Sequence, residues 1–143
     1  KISGINSRLD TIQAGILNAK LKKIDQDNAT RINLANKYLA KLKKLQIILP
    51  KIRLNFTHSF HLFVIQINNR SKFIKFMENS KIFTGLHYQK PIHHIKAFKK
   101  NIKLPVTEKL YKNIVTLPLY PGLTNNEHNK IIKTIKKYFN ENK

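Results

Sequence analysis

Ser59-Phe60-His61-Leu62-Phe63-Val64-Ile65-Gln66-Ile67 is dense in β-branched and aromatic residues over nine positions, which predicts a strand buried largely on both faces. Asn68-Asn69 then turns the chain. Arg70 to Ser80 carries Phe73, Ile74 and Met77 at helical spacing and predicts a short helix, and Lys81 to Leu86 predicts a second strand. A strand, a helix and a strand in so short a span predict a crossover unit or one half of a split one.

On the N-terminal side, apolar residues recur at helical spacing from Asn6 to about Leu45: Leu9, Ile12, Ile16, then Ala35, Tyr38, Leu42 and Leu45. The pattern predicts one long helix or two joined end to end, with Ser7 as N-cap, Asp10 complementing the positive helix end, and Pro50 closing the helical region. A bend is expected at Asp25–Asn28, where a polar run interrupts the stripe. Gly15, inside this helix, suggests close packing against another helix. On the C-terminal side, Phe98 to Lys103 is a basic connection, Pro105 to Glu108 predicts a helix start capped by Thr107, and Tyr111 follows one turn on. Ile114 to Tyr120 predicts a third strand that Pro118 forces to an edge or ends early. After a turn at Pro121-Gly122, Thr124 caps a final helix with Glu127 as its capping-box partner, and Ile131, Ile132, Ile135 and Phe139 form the apolar stripe. The expected class is α/β (an α+β-like small domain): a long N-terminal helix and a small sheet of about three strands covered by helices.

With 143 residues and 41% apolar content the chain is sized for one domain and one core. Its 28 basic and 7 acidic residues give a net charge of +21, which invites a nucleic-acid or anionic-membrane partner. The basic residues are 24 Lys and only four Arg (Arg8, Arg31, Arg53, Arg70), whereas base readout and bidentate phosphate clamps favour guanidinium. Nucleic acid is therefore not the expected partner, although such a charge still draws phosphorylated ligands. Without Cys, disulfides and thiolate chemistry are excluded, and a reducing cytosol is compatible. No apolar run approaches the ~20 residues that span a bilayer, so a soluble cytoplasmic protein without a membrane partner is expected. The sequence begins at Lys1 and runs straight into patterned residues, which suggests a missing upstream part.

Groups able to do chemistry concentrate in Thr84-Gly85-Leu86-His87-Tyr88-Gln89-Lys90-Pro91-Ile92-His93-His94-Ile95-Lys96-Ala97-Phe98. Gly85 is expected to supply a backbone conformation closed to other residues, and Pro91 stiffens the path. His87, Tyr88, His93 and His94 give a density of ring donors and acceptors that suits the lip of a pocket. The three histidines also raise the question of a metal, but with no Cys and no carboxylate nearby in sequence zinc is not expected. His58 and His61, beside or within the first strand, read as packed and satisfied, and Tyr88 is equally a core edge with its hydroxyl at the surface. Lys96, Lys99, Lys100 and Lys103 form a solvated run that can attract a nucleotide diphosphate. Asn6 and Arg8, on their spacing alone, are equally the start of a helix.

Four stretches carry a resemblance in order: Gly4 to Ala14 (Gly-Ile-Asn-Ser-Arg-Leu-Asp-Thr-Ile-Gln-Ala), His58 to Val64, Thr84 to Tyr88 with Pro91 and His93, and Leu117 to Thr124 (Leu-Pro-Leu-Tyr-Pro-Gly-Leu-Thr). Together they span nearly the whole chain, which resembles the C-terminal part of the DegT-type (DegT/DnrJ/StrS) pyridoxal-phosphate-dependent nucleotide-sugar aminotransferases. The resemblance implies an aspartate-aminotransferase-like (fold type I) architecture in which residues 1–143 are the smaller C-terminal domain and residues 1–25 are the helix joining it to a pyridoxal-phosphate domain that is missing. It implies that Asn6 reaches the cofactor phosphate of the neighbouring subunit, that Arg8 clamps an anion or holds the loop, and that His87, Tyr88 and His93 line the substrate side across a homodimer interface. Gln89 and Ile95 stand where relatives often have Pro and Gln, so the sugar pocket is expected to differ in shape.

The implied reaction moves an amino group, from glutamate, onto a nucleotide-linked keto-sugar in amino-sugar or surface-polysaccharide biosynthesis, and the Thr-Gly-x-His-Tyr wording leans to a 3-keto substrate. Transamination needs a Schiff-base lysine, a carboxylate on the pyridine nitrogen and a phosphate cradle. In the family all three precede Asn6, so this chain alone is expected to be inactive, with no catalytic residue and no bound pyridoxal phosphate of its own. The competing readings are a basic nucleic-acid-binding module and a nonfunctional remnant of a truncated gene. Without a large domain, an apolar face along Leu9, Ile12 and Ile16 would stay exposed and promote self-association.

Overall fold

The computed structural model describes residues 8–99 and 101–142. Asn6, Ser7 and Lys100, singled out above, lie outside them. The N-terminal pattern forms two helices, α1 (Thr11–Leu21) and α2 (Ile24–Leu42). Asp10 is the N-cap of α1, and its backbone N–H donates to Gln13 Oε1 at 3.3 Å. The break falls at Lys22-Lys23, where Lys23 adopts φ −114° and ψ 0°, and not at Asp25–Asn28. The polar run starts α2 instead of bending it, because Asp25 and Asp27 sit in its first turn against the positive helix end. α2 stops at Leu42, eight residues before Pro50, and the chain beyond turns so that Ile48 can pair with Gln66, exchanging two backbone bonds of 3.0 Å.

The predicted nine-residue strand shortens to β1 (Phe63–Gln66). Phe60, upstream, takes a left-handed φ of 48°, and its N–H donates to His58 Nδ1 at 2.8 Å, so a local turn replaces the ladder. His58 and His61 are both exposed, which corrects the expectation that they pack inside. Asn69 turns the chain in the left-handed region at φ 54° and leads into α3 (Arg70–Asn79). After two short 3-10 turns, Ile92–His94 and Lys96–Phe98, come α4 (Pro105–Asn113), β2 (Ile114–Leu117) and α5 (Asn125–Glu141). Leu104, not Thr107, caps α4: Pro105 fills the first helical position, where its missing N–H costs nothing, and the Glu108 carboxylate takes the Leu104 N–H at 3.0 Å. Thr124 and Glu127 form the expected capping box, with Glu127 N–H to Thr124 Oγ1 at 3.2 Å and Thr124 N–H to Glu127 Oε2 at 2.9 Å.

β1 and β2 pair antiparallel in the register Phe63 to Leu117 and Ile65 to Val115. Lys81 to Leu86 is not a second strand. It meets the sheet at Gly85 alone, which exchanges bonds of 2.9 and 2.8 Å with Thr116 on the outer side of β2. Since β1 and the Gly85 segment both run antiparallel to β2 between them, they are parallel to each other, and the β1–α3–Gly85 path is a split crossover unit. Pro118 ends β2 after four residues.

Phe63, Ile65, Val115 and Leu117 project from one face of the sheet into a core shared with Leu34, Ala35, Tyr38 and Leu42 of α2, Phe73 and Met77 of α3, and Ile131, Ile132, Ile135 and Tyr138 of α5. Each fully buried side chain of this size contributes roughly 1.5–3 kcal/mol. Tyr38 is wholly buried, donates its hydroxyl to the Pro118 carbonyl at 2.9 Å, and is pushed well above the usual phenol pKa by that burial. The Arg70 guanidinium donates to the Tyr111 carbonyl, tying the start of α3 to the end of α4. α1 contributes no buried residue, and around Gly15 the space is open, so the close packing expected there is not supplied by the described residues.

Candidate functional site

The face of the sheet turned away from the core carries Thr116, and the loop that follows Gly85 folds against it. Gly85 is needed there for space and not for an unusual backbone: its φ is not positive, but a Cβ would come within 2.8 Å of His87 Cε1. The absence of that carbon lets His87 lie back over the sheet, with Nδ1 3.0 Å from Thr116 Oγ1. Tyr88 projects into solvent, edge-on to His87 at 5.7 Å between ring centroids.

Pro91, buried, begins the 3-10 turn in which His94 N–H donates to the Pro91 carbonyl at 2.9 Å. His93 is 7% exposed, and its Nε2 lies 3.3 Å from Glu108 Oε1 in the first turn of α4. His94 Nε2 is 4.0 Å from the same oxygen. The Leu104 N–H bond first, and the His93 imidazole next, hold the Glu108 carboxyl below its usual range.

The sequence-predicted residues divide between two hollows. Tyr88 and His93 share a cavity of about 740 Å³ with Lys90, Ile92, Leu110 and Tyr111, walled on one side by the loop and on the other by α4. His87 lines a separate cavity of about 220 Å³ with His61, Phe83 and Leu119. Arg8 stands exposed ahead of α1 and lines neither hollow, so within the described residues it makes no cradle for a phosphorylated group. Lys96, Lys99 and Lys103 are exposed. Glu108 and Thr116, which orient two of the three loop histidines, were not singled out from sequence. Glu108 carried a local signal, a glutamate shortly after a proline at a helix start, whereas the pairing of Thr116 with His87 is 29 residues apart and leaves no local trace.

The model of the DegT/DnrJ/EryC1/StrS aminotransferase family matches residues 1–136. A curated relative from Aneurinibacillus thermoaerophilus, dTDP-3-amino-3,6-dideoxy-alpha-D-galactopyranose transaminase, is 34% identical over 94% of this chain and 38% of its own length. The crystal structure of a DegT DnrJ EryC1 StrS aminotransferase from Brucella abortus superposes with a TM-score of 0.87 at 31% identity, covering 95% of this chain and 37% of that one. NtdA from Bacillus subtilis, solved with its bound cofactor PMP, gives 0.85 at 28% identity over 96% of this chain and 34% of that one. The chain thus spans little more than a third of the length of these proteins.

Proposed function

Because the chain belongs to the DegT/DnrJ/EryC1/StrS aminotransferase family, we propose that it is the C-terminal, small-domain part of a pyridoxal-phosphate-dependent enzyme that moves an amino group from glutamate onto a nucleotide-linked keto-sugar. The observation that carries this reading is the family match along residues 1–136, joined to relatives named for sugar transamination, among them one from Pseudomonas aeruginosa acting on a 3-oxo sugar nucleotide and 32% identical over 84% of this chain. The product would serve amino-sugar or surface-polysaccharide synthesis in the cytoplasm. Among the described residues, no helix is long and apolar enough to cross a membrane.

The roles follow the family pattern. Asn6 and Arg8 would face the cofactor phosphate across a homodimer interface, while Tyr88 and His93 would meet the sugar from the cavity they share and His87 from its own position over Thr116. When bound, pyridoxal phosphate supplies an aldehyde that condenses with amines and an electron sink. Its cradle is not complete in the described residues, since Arg8 alone, exposed, cannot enclose a phosphate. The lysine, the carboxylate and the remaining phosphate contacts would come from an upstream domain, and the chain without it would be inactive. Joining this chain to a matching upstream segment should restore cofactor absorbance and glutamate-dependent amination of a 3-keto sugar nucleotide. Cofactor binding without turnover on any keto-sugar nucleotide would refute the substrate assignment, and no cofactor binding would refute the whole reading.

A further inference from the structure

His93, His94 and Glu108 bring two imidazole nitrogens and a carboxylate oxygen together from two elements, with one ligand atom from each lying within 4.8 Å of the others. We propose that these three residues form a binding site for a divalent transition-metal ion, with zinc the best-fitting cation. The donor set carries the choice of metal. Two nitrogens and one oxygen suit zinc, cobalt or nickel, whereas calcium and magnesium require shells of oxygen.

The spacing is close to what a metal demands. Ligand atoms on a tetrahedral zinc, each about 2.0–2.2 Å from it, sit roughly 3.4 Å apart. His93 Nε2 and Glu108 Oε1 are already 3.3 Å apart, and His94 Nε2 is 4.0 Å from that oxygen. Rotation of the His94 side chain, 39% exposed, can close the remaining distance. The ligand backbones are anchored without a metal. The 3-10 turn fixes the two histidines through the bonds from His94 N–H to the Pro91 carbonyl and from Ile95 N–H to the Ile92 carbonyl, and the Glu108 N–H donates to the Leu104 carbonyl at 2.8 Å while the Leu104 N–H donates to the carboxylate. The rings of His93 and His94 lie 4.2 Å apart by centroid.

Three protein ligands leave a fourth position for water, the arrangement of an open site and not of a closed structural one. The partial exposure of His94 and Glu108 leaves the site open to solvent. Working against the cation is the chain's net charge of +21, including nearby Lys90 and Lys96, although salt screens exposed charges beyond about 8 Å at physiological ionic strength. The carboxylate offsets part of the metal's charge, and the site should be of modest affinity. The inference does not rest on the transaminase reading, since it uses only the loop, α4 and the 143-residue chain.

The test is a cobalt titration of the chain followed by visible absorption, with zinc as competitor. Saturable bands at one equivalent, lost on addition of zinc, are expected for the wild type. His94→Ala and Glu108→Gln should each weaken cobalt binding by at least about tenfold. The glutamine keeps an oxygen for the Leu104 N–H, and the alanine replaces a partly exposed ring, so both should retain the wild-type circular dichroism. His58→Ala with His61→Ala, remote from the cluster, should leave the titration unchanged. Absence of saturable binding in the wild type, or undiminished binding in both cluster variants, would overturn the proposal, as would loss of binding in the His58 and His61 control.

Discussion

His128 is fully buried in α5, its ring 4.2 Å from that of Tyr38 on α2, and neither of its nitrogens finds a hydrogen-bond partner among the described residues. Burial first, then the charge of Lys37, depress its pKa. Below about pH 6.5 the unfolded chain takes up a proton that the folded chain resists, so stability is intact at neutral pH and falls as pH drops through that value. Thermal melts of the wild type should lose stability between about pH 7 and pH 5.5, and His128→Leu should flatten that slope; parallel slopes would contradict the assignment. At Thr124 the expectation is simpler. Thr124→Ala removes the acceptor for the Glu127 N–H and should cost about 1 kcal/mol, read as a lower melting temperature with unchanged helix content. Gly85→Ala tests the reading of that glycine as spacing: the new carbon displaces a side chain that can swing away, so the His87 ring should leave Thr116 while the fold melts nearly as before. An NMR titration in which His87 keeps its environment in that variant would count against it. Thr124 was legible in the sequence because a capping box is written in four consecutive residues. Gly85 was singled out correctly but for the wrong reason, since the clash it avoids is with a ring whose position depends on Thr116, far along the chain.

Among the elements, α3, α5, the turns and β2 up to Pro118 followed their local signals, whereas the other two predicted strands did not. Asn68-Asn69, Pro121-Gly122 and the stripe of α5 all lie where spacing and turn chemistry put them, with His128 and Tyr138 added to its buried face. Apolar density at Ser59 to Ile67 marked burial, yet a ladder needs partners, and the paired register covers Phe63–Gln66 opposite β2. The same holds for Lys81 to Leu86, where a single bridge at Gly85 stands for a strand. Before the sheet, the two-helix alternative holds, with its break at Lys22-Lys23 instead of Asp25–Asn28, and Ile12 and Ile16 are exposed as expected for a chain without a large domain. α1 buries no residue, and an isolated helix of 11 residues is marginal in water. Hydrogen exchange should therefore show α1 amides almost unprotected while those of β2 and α5 open only with the whole domain. Gly15→Ala, in open space, should strengthen α1 by about 1 kcal/mol and raise its protection without moving the melting temperature. A change in global melting would mean that α1 is coupled to the core after all.

At the scale of the molecule, two features oppose each other: a net charge of +21 that keeps copies apart, and an apolar helix that draws them together. Leu9, just ahead of α1, and Ile12 and Ile16 on its expected face are exposed, but Leu17 and Leu21 are exposed too, at 54% and 64%. At about 100° per residue, Ile12 and Ile16 fall on one side of the helix and Leu17 and Leu21 on the other. A helix apolar on opposite sides belongs inside protein, which fits its proposed place between this domain and an upstream one. Left as it is, that surface should drive self-association, and the charge should make the process depend on salt. With the Debye length near 30 Å at about 0.01 M salt, repulsion reaches across an approaching pair; at about 1 M it shrinks to roughly 3 Å and the apolar attraction is unopposed. Sedimentation velocity should accordingly show a smaller species at low salt and concentration-dependent association at high salt. Replacing Ile12, Ile16 and Leu21 with Ser should suppress that association with little loss of melting temperature, because none of the three is buried in the core. A monomer at every salt and concentration would show that α1 does not expose this surface in solution.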